Sequence, residues 1–335
     1  MSVLRFATIA DADHAVGVIA LVNSLRLLGY LERVTVLDLG LTPTQRRLLA
    51  PECDLKPRPA VPSHPWLLVP AACRAASEDA GPDDVVVYVD CDVIVTAPLD
   101  EVLAHARAGR VVAYVDQFTP DRRFPEWADR LGLAGPLRLQ PYANAGFVVF
   151  VPARHGGFLD RWEQRCAALD GTPIDLRDTT FAGPWALPDQ DVLNAMLMTE
   201  LPPEAVALLP SARMAQGRDD LILTRVVDPA RLRCERDGSG MDMLHSVGRP
   251  KPWQPGAATD LHRSAYLTLL RRLLVDPDLA LAAPDDVEPW LRPGRAGALA
   301  LRRLTLSDRL RTATRGVRRR VGLVRRSSAP RPPSP

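Results

Sequence analysis

The chain has 335 residues, 47% of them hydrophobic and 24% charged, and this composition excludes disorder throughout while allowing one large core or two smaller ones. Five scattered cysteines (Cys53, Cys73, Cys91, Cys166, Cys234) without a CxxC pair argue against a disulfide framework or a zinc site and suit a reducing compartment. The net charge of +2 hides a division: 13 arginines and one acid, Asp308, lie between Arg292 and Pro335, leaving 29 bases against 39 acids in the rest.

In chain order, "VLRFATIA" reads as a buried strand, "AVGVIALVNSLRLLGY" as a helix, "RVTVLDL" as a strand and "TPTQRRLLA" as a helix started by Thr42 and Pro43. A proline-rich connector, "KPRPAVPSHP", precedes a helix near "WLLVPAACRAASEDA", and "GPDD" then turns the chain into the strand-like run "VVVYVDCDVIV". "RVVAYVD" and "NAGFVVFVP" read as strands on either side of a polar loop. A helix follows from about 157 to 169, another begins near Asp189, and "AVALLP" and "MDMLHS" are short strands. "DLHRSAYLTLLRRLLV" is helical, and the end, "SSAPRPPSP", has too few apolar groups to order itself. Alternating strands and helices predict an α/β fold with a mostly parallel sheet flanked by helices.

Asp90 and Asp92 stand where the most apolar strand leaves the sheet, the end at which open α/β sheets bind ligands. On an extended chain residues i and i+2 face one side, so both carboxylates can converge on a hard divalent cation and leave room for phosphate oxygens. The pair alone also fits a haloacid-dehalogenase-type phosphatase, with Asp90 as nucleophile. A second motif, "HSVGRPKPW" from His245, contains one of only two lysines among 42 basic residues. His245 offers an imidazole that suits Mn²⁺ better than Mg²⁺, Gly248 permits close approach of the backbone to a phosphate, and Lys251 can neutralise a departing diphosphate.

With these motifs together, the chain over about residues 3 to 255 resembles the family 8 retaining glycosyltransferases. The resemblance rests on "DCD" at Asp90 to Asp92, "NAG" at Asn144, Ala145 and Gly146, "DQDVLN" from Asp189, and "HSVGRPKPW". It implies the GT-A fold, a Rossmann-like nucleotide-diphospho-sugar transferase fold, with a UDP-sugar donor and a Mn²⁺ ion held by Asp90, Asp92 and His245. It further implies that Thr8, Ala10, Asp11 and His14 border the base and ribose, with His14 where the family usually has a stacking tyrosine. Arg74, matched across a one-residue gap, would lie near the diphosphate or sugar. Asn144 and Asp189 would bind sugar hydroxyls, Gln190 would lie near the anomeric carbon, and Asp116 would stand between donor and acceptor. Gly248 and Lys251 would grip the leaving phosphate.

The expected organisation is a catalytic domain over 1–260, divided into a nucleotide-binding half (1–115) and an acceptor-side half (116–260), a helical extension over 261–291, and a basic tail over 292–335. Leu306, Leu310, Ala313, Val317, Val321 and Val324 would line one side of a tail helix among arginines, a pattern suited to an anionic membrane surface rather than to specific nucleic-acid recognition. With no signal-like or membrane-spanning run, the expected place is the cytoplasm, at the inner face of the plasma membrane. The expected activity is transfer of glucose or galactose from a UDP-sugar to a glycan or a lipid-linked cell-envelope acceptor. The acceptor would meet the segments Gln117 to Tyr142 and Thr172 to Pro188. A phosphatase leaves the last three motifs without a role, and an inactive nucleotide-sugar-binding protein is the third reading.

Overall fold

The computed structural model describes residues 2–62, 64–172, 181–254, 261–276, 278–284, 287–292, 294–304 and 306. The expected tail stripe from Leu310 to Val324 and residues 173–180 of the expected acceptor region lie outside the described residues.

The elements are β1 (Leu4–Ala10), α1 (Ala15–Leu27), β2 (Val34–Asp38), α2 (Pro43–Leu49), β3 (Cys53–Pro57), α3 (Val69–Ser77), β4 (Val85–Val89), β5 (Val93–Val95), α4 (Asp100–Arg107), β6 (Val111–Val115), α5 (Glu126–Leu131), β7 (Ala143–Phe150), α6 (Phe158–Ala168), α7 (Pro188–Thr199), β8 (Val206–Leu209), β9 (Met214–Gln216), α8 (Gly217–Leu223), β10 (Arg225–Asp228), β11 (Arg233–Arg236), β12 (Ser239–Gly240), β13 (Met243–His245) and α9 (Ala265–Val275). Seven strands form the main sheet in the order β3-β2-β1-β4-β7-β6-β8. Its pairs are parallel except those of β7, which runs antiparallel to β4 and β6. The α/β architecture expected from the alternating pattern is therefore present.

One face of this sheet packs against α1, α4 and α9, and the other against α3, α5, α6 and α7. That double cover explains why β4 and β7 are buried at every position and read as apolar runs rather than as alternating strands. The sheet passes through both halves expected on either side of residue 115, so they share one layer. At α2 the Thr42 hydroxyl accepts from Gln45 N, and the Gln45 side chain accepts from Thr42 N, with Pro43 in the first turn.

Two local expectations are corrected. "VVVYVDCDVIV" is not one strand: it breaks after Val89, Val93 N donates to Asp90 O at 3.0 Å, and the chain resumes as β5 in a different sheet. The proline-rich connector begins inside β3, which pairs in parallel with β2 at the sheet edge, where a proline at the final position costs no central ladder bond.

β5 joins a small sheet, β5-β13-β9, in which His245 lies opposite Val93 on one side and Gln216 on the other. In the segment expected as a helical extension, α9 packs on α1 and buries Tyr266, Leu269, Leu270 and Leu273 completely. Asn23, fully buried in α1, donates to the carbonyls of Leu273 and Leu281, each at 2.8 Å, and accepts from Leu281 N at 3.0 Å. Residues 294–304 are helical and turn Ala300, Leu301 and Leu304 toward this core. Among the described residues no helix is long and apolar enough to cross a membrane.

Replacing Asn23 with alanine leaves three buried backbone groups unpaired, so Asn23→Ala should lower unfolding stability by about 2 kcal/mol or more in urea titration. A loss below about 0.5 kcal/mol would mean that the extension is held by apolar packing alone.

Candidate functional site

The break after β4 creates the site. Asp90 N donates to Gly146 O at 2.8 Å, which pins the turn to β7, and Ser246 N donates to Asp92 O at 3.1 Å, which pins it to the chain leaving β13. Asp90, Asp92 and His245 thereby offer three ligand atoms within 4.8 Å of one another. His245 Nε2 stands 3.4 Å from Asp90 Oδ2 and 3.3 Å from Asp92 Oδ1. The convergence inferred for an extended strand is real, but a turn produces it.

Lys251 completes the cluster by donating from Nζ to Asp92 Oδ2, and to Ser246 O at 3.0 Å. Burial alone would raise the Asp92 carboxyl, yet Lys251 and His245 outweigh it and hold the group well below the usual carboxylate range. Burial likewise opposes charge on His245, and the Asp92 and Asp90 carboxylates overcome it, pushing the imidazole up to about 9. Two oxygens and one nitrogen around a buried point, with Asp90 partly open to solvent, suit a divalent cation that keeps positions free for phosphate oxygens. Gly146 makes the space. A Cβ there would lie 2.4 Å from the His245 ring and 2.7 Å from Asp90 Oδ2, so no side chain fits.

The "NAG" and "DQD" motifs meet beside this cluster. Asn144 accepts from Gly146 N at 2.9 Å and donates to Asp116 Oδ2 at 3.1 Å; Gln190 accepts from Ala145 N at 3.1 Å and donates to Asp116 Oδ2 at 3.3 Å. Asp116 Oδ1 accepts from the backbone N–H groups of Phe118 and Thr119, both at 2.9 Å. Asp189 is half-buried and pairs with no cation among the described residues, and burial followed by the Asp90 charge pushes its carboxyl up to about 7. Asp116, Asn144, Ala145, Gly146 and Gln190 are thus one hydrogen-bonded group, joined through Gly146 to the carboxylates.

The start of the chain closes the other side. Trp253 Nε1 donates to Asp13 O at 2.7 Å, and a Cβ on Gly17 would meet the Trp253 ring at 2.6 Å and Cys91 O at 2.4 Å. This contact draws the loop carrying Gly248 and Lys251 toward Asp11 and His14. Gly248 has φ +84° with open space around it, so backbone conformation rather than crowding explains the glycine. His14 Nδ1 lies 2.6 Å from Asp11 Oδ1 and presents its ring edge-on to Trp253, while Thr8 and Ala10 are buried in β1, the Thr8 hydroxyl without a partner. Arg74 is not drawn into the cluster. Its guanidinium, on α3, is taken by Asp160 at 2.5 Å and by Glu163, both on α6. A cavity elsewhere is lined by Ser2, Asp83, Asp84, Arg107 and Arg154, and there the Asp84 carboxylate accepts from Val3 N, Gly81 N and Arg5. A smaller one adjoins Ser246, Gly248 and Arg249.

Several contributors escaped the sequence reading. Tyr88 donates to Asp90 Oδ1 at 2.7 Å. Gln216, fully buried, sits beside Asn144. Arg122 donates to both oxygens of the buried Asp191, at 2.6 and 3.0 Å, and to the carbonyls of Phe181 and Gly183, while its guanidinium covers the Phe124 ring at 4.7 Å. Tyr142 adds a hydrogen bond to Asp191 of 2.6 Å. Burial pushes the Asp191 carboxyl up to about 6, opposed by the Arg122 and Tyr142 hydrogen bonds. This clamp ties the 117–125 loop, the 181–187 segment and the first turn of α7 together, and so fixes the helix that carries Asp189 and Gln190.

Known proteins share this arrangement of elements. The bifunctional glycosyltransferase WbbM superposes with a TM-score of 0.50 at 17% identity, over 80% of this chain and 50% of its own. The fold is a glycosyltransferase fold. This chain spans about half of WbbM. The galactosyltransferase LgtC, solved in complex with donor and acceptor sugar analogs, matches 83% of this chain and 98% of its own at 18% identity and a TM-score of 0.46. The glycosyltransferase GlyE of Streptococcus pneumoniae TIGR4 matches 81% and 63% at 16% identity and 0.40. No family model and no curated protein sequence matches the chain.

The charge on His245 gives a test of the cation site. The imidazole's pKa is raised to about 9 by the carboxylates, and a ligand imidazole must be neutral, so at any pH below that value cation binding displaces its proton. Calorimetric titration with Mn²⁺ at pH 7 in buffers of different ionisation enthalpy should show release of about one proton per ion, with affinity rising as pH rises toward 9. Binding with no proton release would remove His245 from the ligand set.

Proposed function

We propose that this chain is a retaining hexosyltransferase, moving glucose or galactose from a UDP-sugar to a glycan or lipid-linked cell-envelope acceptor with Mn²⁺ held by Asp90, Asp92 and His245. The observation that carries the reading is the shared buried position of Asp92, His245 and Lys251 in a glycosyltransferase fold: a cation site with a lysine directly beside it is built to receive a diphosphate. The bound ion supplies Lewis-acid stabilisation of the developing diphosphate charge. Lys251 leaves Asp92 for that anion and holds its charge, and Gly248 lets the backbone approach the same phosphate. The Asp11–His14 pair borders the nucleoside.

On the sugar side, Asn144 and Asp189 meet hydroxyls, and Asp116 stands between the transferred sugar and the incoming group. Gln190 is a neutral amide with both ends engaged in the protein, which suits a positioning role better than nucleophilic attack. Attack on the same face satisfies this arrangement. The acceptor O–H bonds to the anomeric carbon as the carbon–phosphate oxygen bond breaks, and its proton passes to the departing phosphate. Asp189 remains the ionisable alternative near that carbon.

The arginine-rich tail supports a second part of the proposal, that the acidic enzyme body works at the anionic cytoplasmic leaflet, where each arginine near the surface contributes about 1 kcal/mol. A phosphatase reading gives no role to the Asn144–Asp116–Gln190 group.

The test is UDP release from a panel of UDP-sugars, with and without Mn²⁺. One donor should be hydrolysed slowly and only with the ion, and Asp92→Ala and Lys251→Ala should each reduce the rate by about a hundredfold or more. Phosphate release from simple esters without any UDP release would instead support the phosphatase.

A further inference from the structure

Gln216 is the last residue of β9 and has no exposed surface. Its position is fixed from three sides. The β9–β13 ladder places it beside His245, Gln117 Nε2 donates to its carbonyl at 2.9 Å, and Asn144 Nδ2 approaches its Oε1 at 3.5 Å. Its Nε2, however, is buried and has no hydrogen-bond partner. Buried amide N–H groups in folded proteins almost always have acceptors, and an unpaired one beside a ligand site points to the ligand. The amide orientation is the one that Asn144 dictates: turned over, two N–H₂ groups would face each other.

The surroundings define that ligand. Asn144 connects Gln216 to Asp116 and, through Gly146, to the Asp90 and His245 side chains. On the next residue, Gly217 has φ +67° and a Cβ there would meet Phe118 at 2.6 Å, so the chain beyond Gln216 is held against the 117–119 turn that also donates to Asp116. A group bound between the cation site and Asp116 would find an acceptor in Asp116 and an amide donor in Gln216, a pair suited to one sugar hydroxyl or to two neighbouring ones.

Resting on the transferase reading above, we propose that Gln216 is a specificity-determining residue, whose Nε2 donates to a hydroxyl oxygen of the transferred sugar. Loss of that donor removes the advantage the hydroxyl confers and leaves the nucleotide and cation contacts intact. A site built to hydrogen-bond a hydroxyl rejects the analogue lacking it far more strongly than an apolar pocket does, so Gln216 selects among sugars that differ at that carbon.

The experiment measures kcat/KM for donor hydrolysis with Mn²⁺, using the preferred UDP-sugar and its 2-, 3-, 4- and 6-deoxy analogues, on the full chain and on Gln216→Met and Gln216→Glu. Binding of UDP with Mn²⁺ to each variant verifies that the site is folded, and Met keeps the side chain's approximate volume. In the wild type one deoxy analogue should be penalised by tenfold or more. In Gln216→Met that penalty should fall to within about threefold of unity while the other positions keep theirs. Gln216→Glu, which offers acceptors in place of the donor, should depress the preferred donor more than Gln216→Met does. An unchanged pattern of deoxy penalties in Gln216→Met, with UDP binding intact, overturns the proposal. Failure of the wild type to hydrolyse any donor, despite binding UDP and Mn²⁺, overturns the transferase reading itself and takes this inference with it.

Discussion

The buried carboxylate of Asp92 is the constraint on which the site depends. A lone ionised carboxylate at that depth would be strongly disfavoured, and it is kept charged by two cations that arrive from a single distant stretch, His245 and Lys251. The fold around them serves to deliver that stretch. β13 docks antiparallel on β5, the strand immediately after the Asp90–Asp92 turn, and Trp253 fastens the end of the motif over α1, against the backbone of Asp13. Lys251 pairs with Asp92, the residue proposed to hold the cation, and so lies near the position proposed for a diphosphate.

The two sides of the site are stabilised differently. The cation side is built from charges converging on one turn. The side proposed to receive the sugar is a network of neutral amides around one carboxylate, Asp116, and is kept in place by the Arg122–Asp191 clamp behind it. Asp191 is fully buried and its two oxygens receive Arg122, Tyr142 and Leu187 N, so the clamp leaves little freedom at the start of α7. Removing one partner of such a pair strands the other charge in the core, typically at a cost of about 3–5 kcal/mol.

What could be read in advance follows from how local each feature is. The α/β alternation, the capped start of α2 and the residues of "HSVGRPKPW" are short-range patterns and were legible as such. The Asp90–Asp92 pair was legible as a candidate cation site but not as a turn, because the valines on both sides suit one long strand as well as two short ones. Gln216 and Arg122 carried no signal: the first lies in a three-residue strand, and the second meets Asp191 across 69 positions of sequence. Arg74 illustrates the converse, a residue that the resemblance, across a one-residue gap, placed near the donor, although Asp160 and Glu163 on a neighbouring helix occupy its guanidinium.

The central claim is that a diphosphate-bound cation sits on Asp90, Asp92 and His245, with Lys251 transferred from Asp92 to the phosphate. Anomalous diffraction from crystals grown with Mn²⁺ and UDP tests it most directly. The account predicts a manganese peak within about 2.3 Å of one oxygen from each aspartate and of His245 Nε2, with the Lys251 ammonium on a phosphate oxygen. A peak away from these residues, or a Lys251 still paired with Asp92 while UDP occupies the cleft, would contradict it.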